Sequence, residues 1–319
     1  MTHLLAGLGE VPLEGGGALP VHIAHRRSGA GTLRVLLLHA LTGGPDAADR
    51  PGVKGWWGPL LAEAGPLGPG CATVWCPNLP GSCYGSVGPA HLQPFPEVTP
   101  RDLAAALLRW IEAEGLSFDV TLGGSLGGMV ALELALQAPQ RVGALGVLGC
   151  GGRADAWLRA DCHAQRRILE LPVSDAEALA AARRVAMLGF RSGASLEARF
   201  PDGGEGAWLD HHGRALAARF DRRSLHVLLG AMAAFDLGRG RGGLRWALER
   251  LQAPLHLLGI PSDTLFLPGL ITELATAAEA AGRLGSLTWL QSPHGHDAFL
   301  LEWDQVAAWL ESRVLKGLP

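Results

Sequence analysis

Apolar residues fall along this chain in two rhythms. Short, nearly unbroken aliphatic runs occur at residues 33–39, 72–75, 118–122, 142–148, 254–260 and 287–291. Runs without a polar face predict strands covered on both sides, as in a parallel sheet. Between them, at 102–114, 126–137, 270–283 and 298–314, apolar positions recur every three to four residues, which predicts helices. Thr99 and Pro100 offer an N-cap and a first-turn proline to the first of these helices. Strand and helix alternate. The expected fold class is therefore α/β, a mostly parallel sheet with helices on both faces.

The alternation stops between residues 151 and 250. That stretch is rich in Arg, Ala and Leu, and shows helical spacing at 155–169, 175–188 and 224–237. A helical block inserted after a strand of a parallel sheet reads as a lid. The expected organisation is a core of residues 1–150 and 251–319 with a helical lid at 151–250.

Composition narrows the function classes. Hydrophobic residues are 48% and charged residues 18% of the chain, enough for a large core. The net charge of −3 gives no reason to expect nucleic acid or a membrane surface as partner. The five cysteines are odd in number and lack metal-type or C-x-x-C spacing, so reduced thiols are expected. The first residues lack a basic stretch followed by a long apolar one, and no apolar run is long enough to span a bilayer. The expected location is the cytoplasm.

The chemistry centres on G-G-S-L-G-G-M at residues 123–129, between the strand run 118–122 and the helix run 126–137. A serine among glycines at a strand-to-helix turn reads as a nucleophile elbow. Glycine is 45 of 319 residues, so the motif arises easily by chance and its weight depends on context. A serine nucleophile needs a base, and the base needs a carboxylate, in the chain order serine, acid, histidine. Asp263 follows the strand run 254–260, and S-P-H-G-H-D at 292–297 follows the last one. Both lie at carboxyl ends of strands, where ligands bind in open α/β sheets. Asp263 read alone is a turn or helix-cap residue. Ser125, Asp263 and one of His294 or His296 together read as a triad. Spacing does not choose between the histidines, although Gly295 would ease a close approach by His296. The H-x-H-D cluster has no further ligand set beside it, so no metal is expected. For the oxyanion, the backbone of Leu126 supplies one donor. Leu41, in H-A-L-T-G-G at 39–44, is the expected second.

Further motifs follow in order. They include G-V-K-G-W-W at 52–57, C-P-N-L-P-G-S-C-Y-G-S-V-G-P at 76–89, and F-P-E-V-T-P-R-D at 95–102. Later come A-A-R-R-V-A-M-L-G-F-R-S at 181–192, A-R-F-D-R-R-S-L at 218–225, S-D-T-L-F-L-P at 262–268 and G-H-D-A-F-L at 295–300. With the serine motif, they make the chain resemble the homoserine O-acetyltransferases, α/β-hydrolase-fold acyltransferases of methionine biosynthesis. The resemblance implies Ser125 as nucleophile, Asp263 as acid and His296, rather than His294, as base. It implies Arg183 on the carboxylate and Asp297 on the amine of L-homoserine. The residues alone would make Arg183 a solvated lid arginine and Asp297 a helix N-cap. The implied co-substrate is acetyl-CoA, with no permanently bound cofactor, and the implied assembly is a homodimer joined through the lid. A succinyl donor, a serine acceptor or an esterase would use the same triad. The chain departs from the family's usual pattern at Phe190, often an aromatic hydroxyl, and at Leu126, usually methionine. The stretch between Arg167 and Arg183 and the N-terminal region are also shorter than usual.

Overall fold

The computed structural model describes residues 2–318. The continuous aliphatic runs do form the centre of the protein. They build β5 (Leu33–Leu38), β6 (Ala72–Pro77), β7 (Phe118–Gly124), β8 (Val142–Leu148), β9 (Leu255–Gly259) and β10 (Leu284–Trp289). With β1 (His3–Leu5) and β4 (Ile23–Ser28) these make one eight-stranded sheet in the order β1-β4-β6-β5-β7-β8-β9-β10. Pairing from β6 to β10 is parallel, while β4 is antiparallel to both β1 and β6. A separate hairpin joins β2 (Glu10–Pro12) to β3 (Ala18–Pro20). The N-terminal strands carry no strong sequence signal. Three are only three residues long, and β4 ends in His-Arg-Arg-Ser.

Helices cover both faces. The short α1 (Gly58–Leu61) precedes β6, and α2 (Pro100–Ala113) begins at the anticipated cap. Thr99 Oγ1 accepts from the Asp102 amide and Asp102 returns a bond to the Thr99 amide, a reciprocal capping box. Next comes α3 (Leu126–Gln137). Ten of its twelve residues are buried, which explains a helix with almost no polar face. After β9 come α10 (Pro268–Ala280) and, near the end of the chain, α11 (Trp303–Trp309).

Six helices intervene between β8 and β9: α4 (Ala156–Leu169), α5 (Asp175–Phe190), α6 (Gly193–Arg199), α7 (Glu205–Ala217), α8 (Arg222–Ala233) and α9 (Leu244–Leu248). Three of these were expected. Helix α7 escaped notice because only Gly213 and Leu216 are buried along its length, so it has almost no apolar stripe to read. Two other expectations shift. The last strand starts at Leu284 rather than 287, because the pairing register jumps across Gly285 and hides the pattern. The anticipated helix at 298–314 is broken into a 3-10 turn at Gly295–Leu300, α11, and a wider turn at Leu310–Val314.

The chain passes from β5 to β6 on one side, then returns to β7 on the other side of β5. The carboxyl ends of β5 and β7 thus flank the reversal of strand order, where a crevice forms. Among the described residues no helix is long and apolar enough to cross a membrane.

Candidate active site

Ser125 sits at this crevice, between the last residue of β7 and the first of α3. Its φ of 55° is the one positive value at a non-glycine among the described residues. An L side chain resists that backbone, so the flanking structure must impose it. The Ser125 amide donates to the Leu148 carbonyl of β8 at 2.9 Å. The neighbouring glycines let the turn close. A Cβ on Gly127 would lie 2.2 Å from the Leu38 carbonyl oxygen, and one on Gly123 would lie 2.2 Å from that of Gly127. The glycine-rich heptapeptide is therefore a packing requirement of an elbow pressed against β5.

Asp263 and His296, 33 residues apart in sequence, meet beside it. The His296 Nδ1–H donates to Asp263 Oδ2 at 2.7 Å. The other carboxylate oxygen, Oδ1, accepts from the amides of Leu265 and Phe266 at 2.8 and 2.9 Å. Both side chains are almost wholly buried. Three phenylalanines surround the imidazole: Phe266 stacks at 5.1 Å, Phe299 meets it edge-on at 5.5 Å, and Phe190 lies 6.0 Å away. The Nε2 atom is buried with no hydrogen-bond partner among the described residues. Burial pulls the imidazole pKa down, but the charge and hydrogen bond of Asp263, with Asp297 beyond, prevail and raise it above 6.5. His294 turns elsewhere, its Nδ1 2.9 Å from Ser195 Oγ on α6.

A pocket of about 60 Å³ is lined by Ser125, His296, Leu41, Arg183, Asp297 and Phe190, among others. It adjoins an outer cavity of about 410 Å³, with which it shares Ala40, Thr42, Arg183 and Leu300. Leu126 opens α3, where the first amides have no partner within the helix. Leu41 follows β5 on the opposite wall. Neither amide donates to another backbone group among the described residues.

Asp297 does not cap a helix. It is inside the 3-10 turn, and its Oδ2 accepts from Arg191 Nε at 3.1 Å. Burial raises its pKa against the opposing pull of Arg191, Arg183 and His296. Arg183 lies over the Phe190 ring at 4.9 Å. Burial lowers its pKa to about 10, with Asp297 opposing and Arg219 adding to the fall, so it stays charged near neutrality. Arg191 was not foreseen as part of the site. Its only signal is that it ends the same arginine-bearing stretch as Arg183. Among the described residues no group of three or more His, Cys, Asp or Glu side chains could hold a metal.

The α/β-hydrolase fold model matches residues 34–188. The homoserine O-acetyltransferase of Thermus thermophilus is 40% identical, across 91% of this chain and 83% of that protein. That of Chlorobaculum parvum is 35% identical, across 93% and 90%. The crystal structure of homoserine O-acetyltransferase from Staphylococcus aureus superposes with a TM-score of 0.85 at 25% identity, covering 96% of this chain and 93% of that one. Esterase E22 superposes with a TM-score of 0.84 at 18% identity, a likeness of fold. On relatives of this identity and coverage, the chain belongs to the homoserine O-acetyltransferase family.

Proposed function

We propose that this protein transfers an acetyl group from acetyl-CoA to the side-chain hydroxyl of L-homoserine through an acetyl ester on Ser125. The observation that carries the reading is one pocket that joins Ser125 and His296 to the oppositely charged Arg183 and Asp297. A zwitterionic acceptor needs both charges, and a simple ester substrate needs neither.

Because the His296 Nδ1–H is donated to Asp263, the free lone pair of His296 is on Nε2. In the first half-reaction Ser125 Oγ gives its proton to Nε2 and attacks the thioester carbon. The oxyanion is met by the amides of Leu41 and Leu126. Collapse breaks the C–S bond, and the departing thiolate takes the proton from His296. In the second half-reaction the homoserine hydroxyl passes its proton to Nε2 and attacks the acetyl carbon. Collapse then returns that proton to Ser125. The Arg183 guanidinium suits the acceptor carboxylate and Asp297 its amine, which brings the hydroxyl to the ester. Excluding water favours transfer over hydrolysis. The small inner pocket and the helices α4–α9, acting as a lid on a core of residues 1–150 and 251–319, serve that exclusion.

The proposed setting is the cytoplasm, with two copies paired through the lid. The exposed apolar side chains Trp157, Leu171 and Leu188 on that segment support the pairing. The test is CoA release from acetyl-CoA and from succinyl-CoA, each with homoserine, with serine and without acceptor. Release from acetyl-CoA that rises with homoserine is expected. Release indifferent to homoserine overturns the transferase reading.

A further inference from the structure

The loop that carries Leu41 is held by its carbonyl groups. The Ala40 oxygen accepts from His39 Nδ1 at 2.8 Å and from the Gly43 amide at 2.9 Å. His39 Nε2 accepts from the Leu79 amide at 3.0 Å, so its proton must be on Nδ1. A planar trans peptide points its C=O and N–H in opposite directions. Fixing the Ala40 oxygen therefore fixes the direction of the Leu41 N–H. Beyond Leu41, the Gly44 oxygen accepts from Trp56 Nε1 at 2.8 Å.

A further tie comes from the helical insertion. Arg219, between α7 and α8, donates from Nη1 to the Thr42 oxygen at 2.7 Å. The same nitrogen donates to the Tyr84 hydroxyl at 2.7 Å. Among the described residues this is the only hydrogen bond from the segment α4–α9 to residues 40–44. Its neighbour Phe220 packs edge-on against the Tyr84 ring at 5.7 Å. That ring in turn abuts Gly44, where a Cβ would lie 2.7 Å from it. Arg219 directly, and Phe220 through the Tyr84 ring, thus brace the loop just beyond Leu41.

We propose that Arg219 is a positioning residue for the oxyanion loop, coupling the seating of the helical insertion to acylation of Ser125. The proposal rests on the acyl-serine reading above, with the Leu41 amide as donor to the developing oxyanion. Arg219 also lines the outer cavity. The rival role for such a cation is to hold a phosphate of the acyl donor. A donor without phosphate separates the two.

The experiment measures the acylation burst in wild type, R219Q, R219K and Y84F with two donors. These are p-nitrophenyl acetate, read as p-nitrophenolate, and acetyl-CoA, read as free thiol. Loosening an oxyanion donor is expected to slow the R219Q burst with both donors about 10- to 100-fold, less than the loss of a whole donor. The KM for homoserine is expected to change by a smaller factor than the burst, because Thr42 and Tyr84 do not carry acceptor charge and Arg219 acts on Arg183 only through space. R219K, which keeps the charge and a donor, is expected to regain part of the rate. Y84F is expected to slow both donors by a smaller factor. If R219Q does not fold, R219K and Y84F carry the comparison. An unchanged burst with p-nitrophenyl acetate overturns the proposal, whatever happens with acetyl-CoA. A burst that survives S125A overturns the acyl-serine reading instead.

Discussion

Replacing Asp263 by Asn tests the site at its most constrained point. Asp263 Oδ1 accepts from two backbone amides, at 2.8 and 2.9 Å, so in the variant this position must remain an oxygen. The amide nitrogen is then forced toward His296, where Asp263 Oδ2 stood 2.7 Å from Nδ1. An NH2 group donates and does not accept. Nδ1 must lose its proton to receive that bond, and the proton moves to Nε2, the atom meant to act as base. The shape of the site survives while the tautomer inverts. A triad with the wrong tautomer loses about 10⁴ in turnover, about 5 kcal/mol of transition-state stabilisation. Since one histidine serves both half-reactions, the acylation burst and the homoserine-dependent step should fall together. Stopped-flow CoA release, with and without homoserine, measures both. The pKa of His296 should fall too, because burial would then be opposed only by the charge of Asp297. Activity of D263N within about tenfold of wild type would falsify the assignment of Nε2 as base.

Other perturbations probe separate parts of the argument. His296 accepts protons only when neutral and its pKa lies above 6.5, so kcat/KM for the donor should fall toward acid with a midpoint above 6.5. A midpoint at or below 6.5 would contradict dominance by Asp263. G127A places a methyl 2.2 Å from the Leu38 oxygen, backbone against backbone, and should cost about 3 kcal/mol in urea unfolding. An unshifted midpoint would show the elbow to be free of β5. R183K keeps the charge but loses the two-pronged donor and should raise the homoserine KM about tenfold, as should D297N. An unchanged KM would remove that side chain from the acceptor site. Burial lowers the His39 pKa to about 4, against the hydrogen bond that its Nδ1–H donates to the Ala40 oxygen. Between pH 6.5 and 4 the unfolded chain therefore binds the extra proton, and stability should decline with falling pH. This one group contributes on the order of 3 kcal/mol to that decline. Urea titrations of wild type and H39Q across that range should diverge, and parallel curves would refute it.

What was legible in the sequence follows from how each part is held. Strands β5 to β9 are buried on both sides for most of their length, so their residues are mostly apolar and cannot hide. The Ser125 elbow announces itself because no side chain fits at Gly123 or Gly127. Asp263 and His296 could be found because sheet topology brings strand ends together. Their contact was inferred from position alone, and spacing could not separate His296 from His294. In the structure His296 pairs with Asp263 while His294 turns toward Ser195 on α6. Helix α6 belongs to a segment whose helices were only partly foreseen. Arg191 stayed hidden for a related reason. Its partner Asp297 is 106 residues away, and nothing local to either side chain records the pairing. The cage of Phe190, Phe266 and Phe299 is drawn from three separate segments, each of which reads on its own as ordinary core.

The position of the helical insertion between β8 and β9 has a consequence for how the chain is made. During synthesis β5, β6, β7 and β8 emerge before β9 and can pair with one another. Strand β8 then has an open edge of aliphatic residues, Val142–Leu148, until β9 arrives roughly a hundred residues later. At ribosomal speeds of about 5–20 residues per second, that edge stays open for some 5–20 seconds. In that interval the six intervening helices are the nearest material that can shield it. A nascent chain stalled within them would carry a formed serine elbow, no acid, no base, and an adhesive border.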